Sequence, residues 1–418
     1  MKRLHHIYYY IVPLLACILF TACAHVDAEF GVDFGKLPTN GKKFIPYYER
    51  DIQSETSYAS PVMRIASSIG STDVARGLVE SLSAGTVHQV CGTYWSIAPE
   101  GDSVRLSGAI YYPKSGPIKN IIVAAHYTIT ADFEAPSQTF CMEGYLANKG
   151  YAIVMPDYLG YGVTRDSVHP YMRATITSIH ILDMALAVRP FFAERGITIK
   201  SDEVYLLGYS QGAAAIANSL FQLDTEIDEA SGNYMYKDKI KVKRVFCGGG
   251  PYYISEIFKR SIKSNSMGIP CAVPMLVMGM NCNVGANFKY DYFFQPHILA
   301  HYEEWINSKV FTVNQINTLI GTTYMSEILL PDALDLNKTQ TQRMLHYLEI
   351  EDMPDGYVPH VPLYLFHSTV DNTVPFYNSE TFYKAIGAPA WVETDFDDYG
   401  PHAMGFVTFL MKIYKMLP

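Results

Sequence analysis

The residues best suited to chemistry form the pentapeptide 208–212, Gly-Tyr-Ser-Gln-Gly, which is centred on Ser210. An apolar run typical of a strand precedes it at 204–207, and three alanines at 213–215 begin a helical pattern after it. A serine on so tight a strand-to-helix turn is strained, and the residues two positions before and after it must be small. The pattern predicts that Ser210 is a nucleophile for acyl transfer.

A serine hydroxyl is a weak nucleophile at its ordinary pKa, so Ser210 requires a base and an acid that orients the base. Asp371 follows the predicted strand 361–367 and therefore lies at its carboxyl end. His402 lies about thirty residues later, in a predicted loop before the last helix. The order serine, aspartate, histidine predicts Asp371 as the acid and His402 as the base.

Both assignments have rivals in the sequence. Asp371 could instead cap the next helix, because aspartate is a favoured N-cap residue. Three other acids lie nearer to His402 and two other histidines flank the predicted strand; they are Asp395, Asp397, Asp398, His360 and His367. The strand-end position of Asp371 and its spacing from the loop histidine favour Asp371 and His402.

A tetrahedral intermediate also needs two N–H donors directed at its oxyanion. The residue after the nucleophile, Gln211, is expected to supply one of them. The loop after an earlier strand, His126-Tyr127-Thr128, is expected to supply the other, from Tyr127 or Thr128. Asp157 lies in a glycine-rich stretch and is interpreted as a turn residue.

The elements that must position these residues alternate along the chain. Two β-rich runs, 86–97 and 104–112, predict an antiparallel hairpin around a Pro-Glu-Gly-Asp turn. Apolar strands then alternate with helical segments: strands at 120–125, 151–156, 203–208 and 241–248, and helices at 139–149, 173–194 and 211–223. This alternation predicts an α/β fold with a mostly parallel sheet and helices on both faces.

The alternation stops between the strand at 241–248 and the one at 361–367. Residues 255–359 have helical stretches, such as 299–308 and 340–350, and no clear strand pattern. Such an insertion predicts a helical cap, or lid, although a separate helical domain would give the same pattern. We therefore divide the core into residues 86–254 and 360–418.

The first 22 residues resemble a lipoprotein signal peptide. Lys2 and Arg3 precede an apolar stretch, 7–20, that is too short to span a membrane comfortably. Thr-Ala-Cys follows, so Cys23 is predicted to be lipidated and to become the first mature residue. Residues 23–85 are then expected to be a tether and lead-in. We therefore expect an exported protein, anchored by lipid to a bacterial envelope membrane on its periplasmic face or at the cell surface.

Composition and motifs limit the kinds of ligand that the protein is expected to bind. The formal net charge of −9 and the lack of a basic stripe argue against a nucleic-acid partner. The sequence has neither a Cys-x-x-Cys pair nor a His-Glu-x-x-His motif, so it does not predict a metal site.

The chain resembles the bacterial lipase and esterase branch of the α/β-hydrolase superfamily, and it is similar to the secretory lipase family. The motifs that carry the resemblance lie within residues 86–416: 107–113, 126–128, 156–162, 169–171, 208–212, Asp371 and His402. The resemblance implies ester hydrolysis through an acyl-serine, without a cofactor, beneath a helical lid, with Ser210, Asp371 and His402 as the triad. Tyr127 departs from the glycine that the family often has there.

Three functions remain open from the sequence. The first is a serine hydrolase that cleaves the carboxylic ester of a small molecule, glycan or lipid. The second is an aminopeptidase-like serine peptidase, because one triad can cleave esters and amides and the fold does not decide between them. The third is a non-catalytic lipoprotein that binds glycans. The 32 tyrosines and the predicted lipid anchor suggest this hypothesis.

Overall fold

The structure is a computed structural model, which describes residues 43–53, 85–227, 232–233 and 235–418. The predicted signal peptide, residues 1–22, and the predicted lipidation site Cys23 lie outside the described residues.

A nine-stranded sheet forms the centre of the molecule, in the spatial order β1-β2-β3-β5-β4-β6-β7-β8-β9. The strands are β1 Ile45–Gln53, β2 Thr86–Ile97, β3 Ser103–Pro113, β4 Asn120–Ala125, β5 Tyr151–Pro156, β6 Glu203–Tyr209, β7 Lys241–Gly248, β8 Leu363–Ser368 and β9 Val392–Asp397. The pairs among β1, β2, β3 and β5 are antiparallel, and every pair from β5 to β9 is parallel. The predicted hairpin is β2–β3, and the predicted mostly parallel sheet is confirmed.

The edge strand β1 is absent from the sequence prediction, which assigned its residues to a lead-in. Its charged side chains obscure the strand pattern, yet they form cross-strand contacts. Asp51 lies directly opposite His88 of β2, and its carboxylate is 2.8 Å from His88 Nδ1. Glu49 contacts His88 at 3.1 Å and also pairs with Arg195. Pairing with a neighbouring strand stabilises this segment, and such long-range pairing is not visible in local hydropathy.

Helices cover both faces of the sheet. One face packs against α1 Ala174–Glu194 and α2 Gln211–Thr225. The other packs against α12 His402–Met416 and a 3₁₀ helix, Met142–Lys149, in the region predicted as a helix at 139–149. Among the described residues, only α1 is long and apolar enough to span a membrane, and 78% of its most apolar window is buried in the protein.

The chain between β7 and β8 is helical, and its apolar side chains form a cluster that also includes Tyr171, Met172, Ala214 and Val374 from the rest of the protein. We call residues 254–350 the helical segment; it contains α3 Ile254–Ser264, α4 Ala272–Met280, α5 Tyr290–Phe293, α6 Pro296–Tyr302, α7 Val313–Ile320, α8 Met325–Ile328, α9 Pro331–Leu334 and α10 Thr339–Ile350. The helix predicted at 299–308 is α6 followed by a π-helical turn, Glu303–Asn307. After β8, α11 Tyr377–Ala385 completes the helices. The lid role of the helical segment and the domain boundaries stay predictions.

Two buried polar contacts join the end of the helical segment to its surroundings. Glu351 forms an ion pair with Arg173, at 3.2 Å, and accepts the backbone N–H of Thr175 at the start of α1. Asp352 accepts the backbone N–H of Ser255 at 3.0 Å and also the hydroxyl of that serine. The first contact ties the end of the segment to the core, and the second ties it to the segment's own first helix.

Candidate active site

Ser210 occupies a sharp turn between β6 and α2. Its backbone has φ +56° and ψ −126°, a conformation that side-chain-bearing residues rarely adopt. The Ser210 N–H donates to the carbonyl of Gly248 at 2.9 Å, and the Ser210 carbonyl accepts the N–H of Ala213 at the start of the helix. The surrounding hydrogen bonds therefore hold a strained serine at the carboxyl end of a central strand, where sites of parallel sheets gather.

Gly208 and Gly212 of the pentapeptide are required because backbone carbonyl groups lie where their Cβ atoms would be. A Cβ atom on Gly208 would lie 2.2 Å from the carbonyl oxygen of Gly212. A Cβ on Gly212 would lie 2.1 Å from the carbonyl oxygen of Ala125 on β4. Any side chain at either position would collide with backbone, so the turn that presents Ser210 depends on both glycines.

Asp371 and His402 are in direct contact. The Oδ2 atom of Asp371 lies 2.6 Å from Nδ1 of His402, and the aspartate side chain is 0% exposed. A carboxylate can only accept, so Nδ1 carries the proton and Nε2 of the neutral ring is left as the base. His402 was predicted in a loop just before the last helix, but it is the first residue of α12, after the N-cap Pro401, whose ring nitrogen has no N–H that would need an acceptor at the helix start.

His367 contacts the same carboxylate, and its role was not predicted from the sequence. Its Nε2 lies 3.3 Å from Oδ2 of Asp371 and 3.0 Å from the carbonyl of Val374, whereas its Nδ1 lies 2.6 Å from the hydroxyl of Ser379. Both neighbours of Nε2 are acceptors, so Nε2 carries the proton and Nδ1 accepts from Ser379. Two histidines therefore donate hydrogen bonds to Asp371. The only feature of the sequence that could have indicated this role of His367 is its position at the end of a predicted strand.

Further donors complete the environment of Asp371. Its Oδ1 accepts the backbone N–H groups of Thr373 at 2.8 Å and Val374 at 2.9 Å. Burial would raise the pKa of this carboxyl, but the hydrogen bonds from His367 and His402 outweigh burial and hold the pKa well below its usual range. Asp371 is thus an anion at neutral pH. It closes a turn and does not cap α11, which begins only at Tyr377.

Ser210 and His402 lie beside the same pair of glycines at the end of β7. Gly248 accepts the N–H of Ser210, and a Cβ on Gly249 would be 3.3 Å from Cε1 of His402. Tyr209, which precedes Ser210, donates its hydroxyl to the backbone carbonyl of His402 at 2.8 Å, with the two rings 5.0 Å apart. The structure therefore brings the predicted nucleophile into the neighbourhood of the Asp371–His402 pair.

The rival residues have other contacts. Asp395 is hydrogen bonded to Tyr364, Tyr399 and Lys412. Asp397 and Asp398 accept backbone N–H groups in the loop after β9, and His360 is exposed. The acid in contact with His402 is Asp371.

The predicted oxyanion donors flank the serine turn from two sides. Gln211 is the first residue of α2, so its N–H has no acceptor within the helix. Tyr127 and Thr128 follow β4, in a loop where the Tyr127 carbonyl lies 2.7 Å from Nδ1 of His126. The Tyr127 ring packs on Phe406 of α12, with centroids 5.2 Å apart.

Side chains behind this loop and the serine turn contact residues 169–171 of the core. The Thr128 hydroxyl lies 3.3 Å from the Tyr171 hydroxyl. The Gln211 amide nitrogen donates to Nε2 of His169 at 3.0 Å, and Nδ1 of His169 donates to the carbonyl of Leu159 at 2.8 Å. Burial places the pKa of His169 well below its ordinary value, so this ring is neutral.

Asp157, interpreted from the sequence as a turn residue, is a fully buried acceptor. Its carboxylate accepts the hydroxyls of Ser107 and Ser137 at 2.5 Å each, and the backbone N–H of Ser137 at 2.8 Å. Burial raises its pKa to about 6, although the serine hydrogen bonds oppose the change. These contacts link β3 to the loop before the 3₁₀ helix, which is a structural role.

The structure offers no evident metal ligands in the part of the chain that it describes. Within those residues, there is no cluster of three or more His, Cys, Asp or Glu side chains that could hold an ion. The five cysteines in the same ranges are all free thiols: Cys91, Cys141, Cys247, Cys271 and Cys282.

Comparison with solved structures identifies the fold. The chain is similar to a presumed hydrolase of Legionella pneumophila, with a TM-score of 0.71 and 20% identity over 90% of this chain and 97% of that chain. It is also similar to the rice cell wall degrading esterase LipA of Xanthomonas oryzae, with a TM-score of 0.68 and 18% identity over 90% and 95% of the two chains. Candida antarctica lipase A in its closed state is more distant, with a TM-score of 0.55 and 16% identity over 86% and 77%.

These likenesses show that the chain has the α/β-hydrolase fold. No family model matches the sequence, and no curated protein sequence matches it. At sequence identities of 20% or less, structural similarity establishes the fold but not the activity. The activity therefore has to be inferred from the residues of the site.

Proposed function

We propose that the chain is a serine hydrolase that cleaves carboxylic esters through an acyl-serine intermediate. The observation that carries this proposal is the buried Asp371–His402 hydrogen bond beside the strained turn of Ser210. The Asp371 anion keeps the proton of His402 on Nδ1 and so leaves Nε2 as a base. The esterase and lipase among the solved structures of the same fold support the choice of ester over other acyl substrates.

The reaction needs two acyl transfers. In the first, Oγ of Ser210 attacks the ester carbonyl as Nε2 of His402 takes the hydroxyl proton, and the carbonyl π electrons move onto oxygen. When the intermediate collapses, the C–O bond to the alcohol breaks and His402 gives its proton to the leaving alkoxide. In the second, water attacks the acyl-serine by the same proton route, which releases the acid and restores Ser210.

The oxyanion is the point of greatest charge development in each step. The N–H of Gln211 is directed by the start of α2, and the helix dipole adds a favourable potential there. The second donor in this proposal is the N–H of Tyr127 or Thr128. Because a backbone group donates, the tyrosine that departs from the usual glycine does not prevent this role.

Steady-state hydrolysis of p-nitrophenyl esters of increasing acyl length tests the proposal. We expect Ser210→Ala to lower kcat by about 10⁴-fold or more. Ser264→Ala is the matched control, because that hydroxyl only donates to a carbonyl within α3 and its loss should change kcat less than about threefold. A wild-type rate equal to that of Ser210→Ala would overturn the proposal.

Two further measurements separate the alternatives. Faster hydrolysis of aminoacyl-nitroanilides than of matched esters would favour a peptidase. Failure of a fluorophosphonate to label Ser210 in folded protein would favour a non-catalytic glycan-binding role.

We also propose that the chain is exported and anchored by lipid at Cys23. The support is the sequence of residues 1–23. Metabolic labelling with an alkyne fatty acid should mark the wild-type chain and the Cys17→Ala control, but not Cys23→Ala. Equal labelling of all three would contradict the anchor.

A further inference from the structure

His126 is the first residue of the loop after β4 that carries the two candidate oxyanion donors; we call residues 126–128 the oxyanion loop. The residue is 3% exposed, and its ring stacks on that of Tyr158, with centroids 3.9 Å apart. The ring contacts two backbone carbonyl groups. Its Nδ1 lies 2.7 Å from the carbonyl oxygen of Tyr127, and its Nε2 lies 3.2 Å from that of Asp157. The proposed reaction does not use this side chain.

Only one of these two contacts is a hydrogen bond at neutral pH. Burial lowers the pKa of His126 to about 4, so the ring is neutral at pH 7 and carries a single N–H. A carbonyl oxygen can only accept, so a ring nitrogen without a proton is repelled by it, and more strongly at 2.7 Å than at 3.2 Å. The proton therefore lies on Nδ1, and His126 donates to the carbonyl of Tyr127.

That hydrogen bond fixes the direction of the next N–H group. The carbonyl of Tyr127 and the N–H of Thr128 belong to one peptide unit, and the described residues contain no cis peptide bond. In a planar trans peptide the C=O and the N–H point in opposite directions. The carbonyl is directed at the buried ring, so the N–H of Thr128 is directed away from it. Within the described ranges this N–H has no acceptor, as is required of a group that binds a substrate oxygen.

The preceding peptide unit excludes the other candidate, the N–H of Tyr127. The carbonyl of His126 accepts the hydroxyl of Tyr158 at 3.3 Å, and a Cβ on Gly212 would lie 2.8 Å from that carbonyl oxygen. This carbonyl therefore faces the start of α2, where the serine turn lies. The N–H of Tyr127, in the same peptide unit, faces away from α2. Of the two candidates, Thr128 remains.

We propose that His126 is a positioning residue of the oxyanion site, whose Nδ1–H holds the carbonyl of Tyr127 and thereby directs the N–H of Thr128 at the oxyanion. This inference rests on the proposed function and assigns its second donor to Thr128. His126 does not touch the substrate. It orients the donor before the substrate binds, so that no peptide unit has to turn as the negative charge develops.

Two isosteric substitutions separate the two ring nitrogens. In His126→Asn the amide nitrogen takes the place of Nδ1 and still donates to the carbonyl of Tyr127. In His126→Gln the amide nitrogen takes the place of Nε2 and donates to the carbonyl of Asp157 instead. Steady-state hydrolysis of a p-nitrophenyl ester compares the two, with kcat expressed per active site after complete titration with a fluorophosphonate.

We expect His126→Asn to keep kcat within about fivefold and His126→Gln to lower it by about 10- to 100-fold. The second loss is smaller than the roughly 10²- to 10³-fold for removal of an oxyanion donor, because the N–H is misdirected and not removed. KM should change less than about twofold in both variants, since the donor binds the oxyanion and not the ground-state ester. Equal kcat values for the two variants would overturn the inference.

His180→Asn is the matched control for loss of a buried histidine. His180 of α1 is 0% exposed, and burial lowers its pKa to about 4 as well. Its Nε2 donates to the carbonyl of Ile97, at the end of β2, at 2.9 Å, and asparagine cannot replace that donor. The substitution should lower Tm at an unchanged kcat. A loss of kcat as large as that of His126→Gln would show that any buried histidine has this effect, which overturns a specific role of His126.

A transition-state analogue separates positioning from packing. A trifluoromethyl ketone adds to Oγ of Ser210, its carbonyl π electrons move onto oxygen, and His402 takes the serine proton, so the adduct carries the oxyanion. The inhibition constant should rise in His126→Gln by the same factor as kcat/KM falls. An unchanged inhibition constant would reduce His126 to a packing role.

The tautomer of His126 is measurable in the wild type. Long-range ¹H–¹⁵N correlation spectra at pH 7 show which nitrogen of a neutral imidazole carries the proton, and the signals of His126 are those absent from His126→Asn. We expect the Nδ1–H form, and the Nε2–H form would overturn the inference whatever the kinetics. Absence of ester hydrolysis by the wild type would instead overturn the proposed function.

Discussion

The carboxyl ends of the strands and the helical segment differ in how completely their buried polar groups are hydrogen bonded. At the strand ends, the polar groups of the candidate triad have partners: Asp371 accepts from two histidines and two backbone N–H groups. In the helical segment, by contrast, Lys309 is 4% exposed and its ammonium has neither a hydrogen bond nor an ion pair among the described residues. The buried amide oxygen of Asn307 accepts no hydrogen bond there either.

The difference indicates which region is already arranged for chemistry and which retains buried polar groups at a cost in stability. A site whose hydrogen bonds are complete is rigid and already arranged for proton transfer. A buried charge without a hydrogen-bonded partner is costly, so its removal should raise stability. Four variants test this division, in order of decreasing effect.

Asp371→Asn should have the largest effect, a loss of kcat of about 10³- to 10⁴-fold with little change in KM. An amide no longer favours the His402 tautomer with the proton on Nδ1, and it cannot stabilise the imidazolium. The check is steady-state kinetics with a p-nitrophenyl ester. Asp395→Asn makes the same chemical change in the rival acid and should keep kcat within about threefold. Equal losses in the two variants would contradict the assignment of Asp371.

Arg173→Met tests the attachment of the helical segment. It leaves the buried Glu351 carboxylate without its cation, and we expect a loss of about 3–5 kcal/mol in the free energy of unfolding. Urea denaturation measures this. In Arg173→Met/Glu351→Gln the neutral amide still accepts the N–H of Thr175, so the double variant should be less destabilised than the single one. Additive losses would show that the two side chains are not coupled.

Lys309→Met should stabilise the protein, in contrast to most substitutions of buried residues. Burial lowers the pKa of Lys309 from its ordinary value of 10.5 to about 8, which corresponds to at most about 3 kcal/mol. Below pH 8 the lysine is charged in both states and folding includes the full desolvation cost. Between pH 8 and 10.5 the folded state releases the proton first, so the cost declines.

The difference in Tm between Lys309→Met and the wild type should therefore be largest at pH 7 and smaller at pH 9.5. Lys259→Met, on the exposed side of α3, should show no such trend. A Tm for Lys309→Met below the wild-type value at pH 7 would contradict an unpaired buried ammonium.

His367→Phe should have the smallest effect, about a tenfold loss of kcat at unchanged KM. It removes one hydrogen bond that positions Asp371 against His402, which lowers kcat, and the less well solvated carboxylate also stabilises the resting His402 imidazolium more strongly. The acid limb of the kcat profile should then move to higher pH. Ser379→Ala removes the partner on the other side of the His367 ring and should leave that profile in place. Equal shifts in both variants would reduce His367 to a packing role.

The sequence by itself predicted the parts that depend on neighbouring residues. The Gly-x-Ser-x-Gly turn is a constraint within five residues, since a Cβ on Gly208 would meet the carbonyl of Gly212. The alternation of strands and helices is likewise local, because the hydropathy period of each element follows from its own geometry. These two signals were sufficient for the fold class and for the identity of the candidate nucleophile.

Only the tertiary structure decided which distant groups meet. Strand β1 has no clear pattern of its own and is defined by its pairing with β2. The second histidine on Asp371 and the burial of Lys309 of the helical segment against Asp132 and Tyr161 depend on packing between elements far apart in sequence. Hydropathy shows which face of an element is buried but not what it is buried against, so these contacts could not be predicted from the sequence.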